Sequence, residues 1–217
     1  MINTKNLFIL ILCCQLSLLP AFSLKPRSKK FEAKSEKLNR VFADLESETK
    51  LSGYFMNSNQ RKNCLQLSGE ERSKFIERFW ETLDPNPITP ENEFLLEIIQ
   101  RVHYAETELR NALSGWKSDQ GRIYIKYGAP FEILEGTIEN RRGDFSSNYN
   151  EYRGHSYQVW KYRMGNDQRE TFIFFELYTF GDLRLIYSET DSEVSFANWQ
   201  KFFGDMNINQ IIGGFYE

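Results

Sequence analysis

Apolar residues in this chain first recur at helical spacing and later at strand spacing. In residues 31–51, Leu38, Val41, Phe42 and Leu45 stand three to four apart among lysines and glutamates, predicting a surface helix with one buried stripe. Gly53 and the polar stretch 57–63 break it. Ser68 opens a second expected helix, with Glu71 at capping-box spacing and Phe75, Ile76, Phe79, Trp80 and Leu83 as its apolar face. Asp84-Pro85-Asn86-Pro87 stops it, because a residue before proline is pushed out of the helical region. Thr89 is the expected N-cap of a third helix, with Pro90 at its first position. Phe94, Leu95, Ile98, Val102, Ala105, Leu109, Ala112 and Leu113 keep the period for about five turns, and Gly115 reads as its C-cap with positive φ.

The period then drops to two. Ile123, Ile125 and Tyr127 alternate with Arg122, Tyr124 and Lys126, predicting a half-buried strand closed by Gly128-Ala129-Pro130. Residues 136–156 are polar and read as a long loop. Strands are expected at 157–162, 171–178 and 183–187, the last two forming a hairpin. In the middle one, Phe172 and Phe174 alternate with Ile173 and Phe175, which implies cover on both faces. Residues 196–203 suggest a closing amphipathic helix. Helices followed by strands point to an α+β fold, with N-terminal helices and a small antiparallel sheet of about four strands.

Residues 1–23 stand apart from this pattern. Lys5 precedes an apolar run from Leu7 to Leu19, broken by Gln15 and Ser17, and Ala21 and Ser23 are small residues at the −3 and −1 positions of a secretory cleavage site. A run of that length is shorter than the ~20 residues of a membrane span. It reads as a signal peptide, followed by a basic arm and N-terminal helix over 24–66 and the main domain over 67–217. Export to the periplasm or beyond is expected, with membrane attachment only through lipid on Cys13 or Cys14, neither of which is preceded by the small residues of a lipoprotein signal. Cys64 would then be the one remaining cysteine and cannot form an intramolecular disulfide.

Charge narrows the partners. The chain carries 27 Lys+Arg and 30 Asp+Glu. Removing residues 1–23 takes away Lys5 alone, leaving net −4 (26 basic, 30 acidic), which argues against nucleic-acid binding. No Gly-rich phosphate loop, nucleophile elbow or zinc pattern occurs, so no cofactor is expected. His103 and Glu106 have metal-ligand spacing on a helix but no third ligand, and His155 lies in the polar loop. Arg142-Gly143-Asp144 matches an adhesion tripeptide, a pattern that arises often by chance.

Three segments carry a resemblance: Phe79-Trp80-Glu81-Thr82-Leu83-Asp84-Pro85-Asn86-Pro87, then Arg101-Val102-His103-Tyr104-Ala105-Glu106, then Gly115-Trp116-Lys117-Ser118-Asp119-Gln120-Gly121-Arg122 running on to Tyr127-Gly128-Ala129-Pro130. Their order and spacing resemble the GWxTD domain family of exported bacterial proteins. Trp160-Lys161-Tyr162 and Phe174-Phe175-Glu176 fit its later strands, so the likeness covers about residues 70–190. Ser118 replaces the family's Thr, and Gln120 stands where members often carry Arg. A looser likeness to small outer-membrane-assembly lipoproteins rests on the Tyr-Gly-x-Pro and Trp-x-Tyr patterns alone.

The resemblance implies a fold and a compartment rather than a reaction. The candidate site is therefore the motif itself: Gly115, Trp116, Ser118, Asp119, Gly121 and Arg122. As a folding corner it would use Trp116 for packing, Ser118 and Asp119 to bond nearby N–H groups, Gly121 for close approach, and an Asp119–Arg122 pair. As a contact surface it would present Trp116, Asp119 and Arg122 to an envelope protein partner. The leading expectation is a non-enzymatic interaction or assembly module of the bacterial envelope. The alternative is an enzyme or accessory acting on an envelope polymer, with Asp119, Glu132 or His103 as acid/base groups.

Overall fold

Caps and buried stripes decide where the helices begin and end. The computed structural model describes residues 44–110, 115–138, 152, 154–165, 168–178, 181–204, 206 and 208–212. The expected signal peptide, both N-terminal cysteines, the basic arm and Arg142-Gly143-Asp144 lie outside them. Asp44 caps helix α1 (Leu45–Ser52) by accepting the Ser47 N–H at 2.7 Å. The next stretch, expected as a break, is instead helix α2 (Ser58–Gln66). It has almost no apolar stripe, with Cys64 its one buried residue. A capping box starts it: Asn57 Oδ1 accepts from Gln60 N–H at 2.9 Å, and Gln60 Oε1 accepts from Asn57 N–H at 3.0 Å.

Helix α3 (Gly69–Thr82) follows Ser68, but Ser68 makes no side-chain cap and the expected box with Glu71 does not form. Arg72 instead reaches back to the Leu67 carbonyl at 2.6 Å. Helix α4 (Glu93–Glu108) starts later than expected, because Asn92 rather than Thr89 caps it. Asn92 also donates to the Trp80 carbonyl at 2.7 Å, locking the Pro-rich turn onto the end of α3. Leu51, Cys64, Ile76, Phe79, Trp80, Ile98, Val102 and Ala105 form one helical core.

The largest departure from expectation comes next. The residues expected as a first strand form helix α5 (Asp119–Tyr127). Ile123 and Ile125 are both fully buried, but on different sides. Ile123 packs on the sheet with Trp160, Tyr162, Phe172, Phe174 and Leu185, whereas Ile125 belongs to the helical core. A helix covered on two sides buries i and i+2 and so imitates a strand. Gly128, at φ +84°, is its C-cap.

The first strand, β1 (Glu132–Thr137), therefore lies partly within the expected loop. It continues into β2 (Ser156–Arg163), β3 (Arg169–Tyr178) and β4 (Asp182–Ser188), an antiparallel meander in the order β1-β2-β3-β4. Phe172, Ile173, Phe174 and Phe175 are all fully buried, as the double cover of β3 requires. One face meets α5. The other packs Val159, Ile173, Phe175 and Ile186 against Trp199, Phe202, Phe203 and Ile211. Those residues come from a 3-10 turn (Trp199–Phe203), where a longer helix was expected, and from the short helix α6 (Ile208–Ile212). The fold is α+β, with helices preceding a four-stranded antiparallel sheet.

Candidate functional site

The motif residues occupy the point where the helical layer passes into α5. Gly115 opens a 3-10 turn (Gly115–Lys117) and does not cap α4 with positive φ; Leu109 is that C-cap. Glycine is needed here for close approach. A Cβ at Gly115 would lie 1.8 Å from the Ala105 carbonyl oxygen, and one at Gly121 would lie 1.9 Å from the Gly115 carbonyl oxygen. Three backbone segments meet without room for a methyl group.

Trp116, 3% exposed, fills the helical core. Its backbone N–H donates to the Glu106 carboxylate at 3.4 Å, and its backbone carbonyl accepts from the Tyr54 hydroxyl at 3.3 Å. Burial pushes the Tyr54 phenol up to about 12. Two ammonium groups lie near the indole, Lys117 Nζ 5.0 Å and Lys50 Nζ 5.9 Å from the ring centroid.

Ser118 is the N-cap of α5. Its Oγ accepts the Gly121 N–H at 2.9 Å and donates to the Gly115 carbonyl at 2.6 Å, so the hydroxyl it shares with threonine does the capping. Gln120 is buried and donates at 2.7 Å to Gln158 Oε1, which also accepts the Trp160 indole N–H at 2.9 Å. Where an Arg would bring charge, this chain places an amide bridge from α5 to β2.

Asp119 reaches across to β4. One carboxylate oxygen accepts from Arg184 Nε at 2.8 Å and from the Leu185 N–H at 3.1 Å, and the other pairs with Arg122 at 3.4 Å. Burial works against its ionisation. The Arg184 and Leu185 hydrogen bonds and the Arg122 charge outweigh burial and hold its pKa below the ordinary carboxylate value. Arg122 and Lys126, one turn apart on α5, both bind the buried carboxylate of Glu193. Burial disfavours the Arg122 cation, but Glu193 and Asp119 more than compensate and raise its pKa.

The expected Asp119–Arg122 pair is therefore present, within a larger array. Arg184 and Glu193 carried no sequence signal, because they lie 65 and 74 residues from Asp119 in the chain; only folding brings Arg184 to Asp119 and Glu193 to Arg122 and Lys126. Arg101, inside the second resembling segment, donates to the Ile125 carbonyl at 2.9 Å, and the Tyr162 hydroxyl donates to the Gly128 carbonyl at 3.0 Å. Together they close the C-terminal end of α5.

The remaining candidates are dispersed. Glu132 pairs with buried Lys161 at 2.8 Å, on the sheet. His103 is exposed on α4, and its would-be metal partner Glu106 holds the Trp116 N–H. His155 stacks on Phe175 and bonds the Glu176 carbonyl at 2.5 Å through Nδ1. Cys64 is buried, and burial pushes its thiol pKa up. Among the described residues no group of three or more His, Cys, Asp or Glu could hold a metal ion, and no helix is long and apolar enough to cross a membrane.

Fold and site together define an α+β domain in which one buried helix, anchored by glycine contacts and an ion array, joins a helical layer to a four-stranded meander. The family model for the GWxTD domain matches residues 27–188, and the chain belongs to that family. No curated protein and no solved structure matches the chain.

Proposed function

We propose that this protein is an exported component of the bacterial cell envelope that acts by binding another envelope protein, without catalysis. The apolar run and small-residue cleavage pattern of residues 1–23 support export. The observation that carries the non-enzymatic reading is the commitment of Asp119. Two arginines and a backbone N–H hold it as an ionised acceptor, whereas an acid/base carboxyl needs a pKa near the working pH and room for a substrate. Trp116, Ser118, Gly115 and Gly121 then form the corner's scaffold, and its outward groups, Lys117, Arg184 and the edges of Asp119 and Arg122, form the contact surface.

Affinity capture from cross-linked envelopes tests this reading. The tagged chain is compared with a Lys117→Glu/Arg184→Glu variant whose thermal unfolding shows it folded. Enrichment of an envelope protein by the parent chain and its loss from the variant are expected. Identical capture by both chains, or no envelope protein with either, would overturn the assignment.

A further inference from the structure

Residues 189–198 cross the outer edge of β4, and the way they are held describes a binding site. Apart from its end turns the segment has no regular secondary structure, and Glu193 is its one buried side chain between positions 189 and 198; its neighbour Val194 is 86% exposed. Several contacts fix it, among them a 2.8 Å hydroxyl–hydroxyl bond between Ser192 and Tyr127 of α5 and a 3.2 Å bond from the Glu189 N–H to the Thr171 carbonyl. The Glu193 carboxylate sits between Arg122 and Lys126. The Phe196 N–H donates to the Ile186 carbonyl at 2.8 Å, as an added strand would. The Ser195 hydroxyl accepts from the Ser188 N–H at 2.9 Å and donates to the Ser188 carbonyl at 3.2 Å. Phe196 adds only an edge contact to Phe202, 6.2 Å between centroids.

An extended peptide binds a sheet edge through main-chain bonds, with side chains supplying specificity; here one main-chain bond to β4 and one charged side chain follow that pattern. Without Glu193, Arg122 and Lys126 would lose the carboxylate they share, leaving Arg122, Lys126 and Arg184 facing Asp119, with Asp182 near Arg184, a balance that still calls for an anion. The segment also meets opposition. Glu170 is buried with one carboxylate oxygen unpartnered, and Glu189 and Asp191 of the segment lie close enough to disfavour its charge.

We propose that the β4 edge with Arg122 and Lys126 is a docking site for an extended acidic segment of a partner protein, and that residues 193–196 are its built-in occupant, displaced when the partner binds. The recognised pattern is a carboxylate, a hydroxyl two residues later and an aromatic ring three residues later, as in Glu193, Ser195 and Phe196. The inference rests on the interaction reading above and names the partner's chemistry.

The probe is a fluorescein-labelled peptide of this chain's own residues 189–198, titrated by anisotropy into the purified full chain. Glu193→Gln and, separately, Ser195→Ala each free the site from its occupant. Each is expected to bind the peptide at least about tenfold more tightly than the parent. Adding Lys126→Met to Glu193→Gln should return affinity to the parent level, and a peptide with Gln at the central Glu should not bind. Ser195→Ala removes only the two bonds to Ser188, so it decides the matter should Glu193→Gln fail to fold. Parent-level affinity in a folded Ser195→Ala chain, or loss of its fold, would overturn the proposal and make the segment a fixed closure. Successful envelope capture without peptide binding would remove this site and leave the interaction reading standing; peptide binding without capture would do the reverse.

Discussion

The corner at residues 115–122 and the segment at 189–198 touch through Arg122 and Glu193, yet they are held by opposite means. In the corner, backbone meets backbone at Gly115, Gly121 and Ala105, an indole fills the core, and Ser118 spends its hydroxyl twice on main-chain groups. Its backbone contacts leave no room for a methyl group at Gly115 or Gly121. The segment buries one carboxylate and lays a short stretch of main chain along β4. Close packing has one solution and a steep cost of departure. A segment held by a few polar bonds with little apolar burial opens at low free energy. Shape would thus be vested in the corner and exchange in the segment.

Gly121→Ala should give the largest effect. Inside a helix, alanine normally improves on glycine by about 1 kcal/mol. Here the added methyl would meet the Gly115 carbonyl oxygen at 1.9 Å, and that oxygen is backbone with nowhere to move. Steric conflict wins, and urea unfolding should show a loss above about 4 kcal/mol. A neutral or stabilised variant would remove the contrast between the two regions.

Trp116→Ala comes next, at about 3–5 kcal/mol, the usual cost of emptying a buried aromatic site. Unchanged stability together with lost envelope capture would move the indole from core to interface. Asp119→Asn should cost about 2 kcal/mol near neutral pH, since hydrogen bonds to a charged group become neutral ones. Its folded pKa lies below the ordinary 3.8, so its stabilisation is complete above that value and is lost as pH falls through the folded pKa. The parent's advantage over Asp119→Asn should therefore shrink in acid. A difference that stays constant with pH would assign the effect to shape rather than charge.

The same contrast explains what was legible in the sequence. Helices α3 and α4 were, because each buries one stripe against a single core. Helix α5 was not, because Ile123 and Ile125 serve two cores and their spacing copied a strand's. Helix α2 was missed because Asn57 and Gln60, rather than an apolar face, define it. The motif's position could be read from its likeness to the family, and Ser118 and Gly121 act on neighbours close in sequence, whereas Trp116 packs against residues as distant as Leu51 and Tyr54. Arg184 and Glu193 could not be read, since a salt bridge between distant positions leaves no period. Gln120 stands where family members often carry Arg, and only the packing of α5 on β2 reveals its amide bridge to Gln158.

The smallest expected effect sharpens the segment's side of the comparison. Glu170 accepts one bond, from Gln168 Nε2 at 2.7 Å, while its other oxygen is buried without a partner. Burial first, and the charges of Glu189 and Asp191 after it, raise its pKa above the ordinary 4.5. The folded state therefore favours the protonated carboxyl. No cost arises below pH 4.5, and stability falls as pH rises from there through the raised folded value. Glu170→Gln keeps the shape and removes the ionisation, so it should match the parent at low pH and gain about 1 kcal/mol at neutral pH, the lower end of the cost of an unsatisfied buried polar group. Thermal unfolding across pH measures this, and hydrogen exchange reads its local consequence: with the repulsion removed, the Phe196 amide should exchange more slowly in the variant. A gain that does not vary with pH, or an unchanged Phe196 amide, would mean that Glu170 does not oppose the segment, leaving the bonds of Glu193, Ser195 and Phe196 to set how readily it opens.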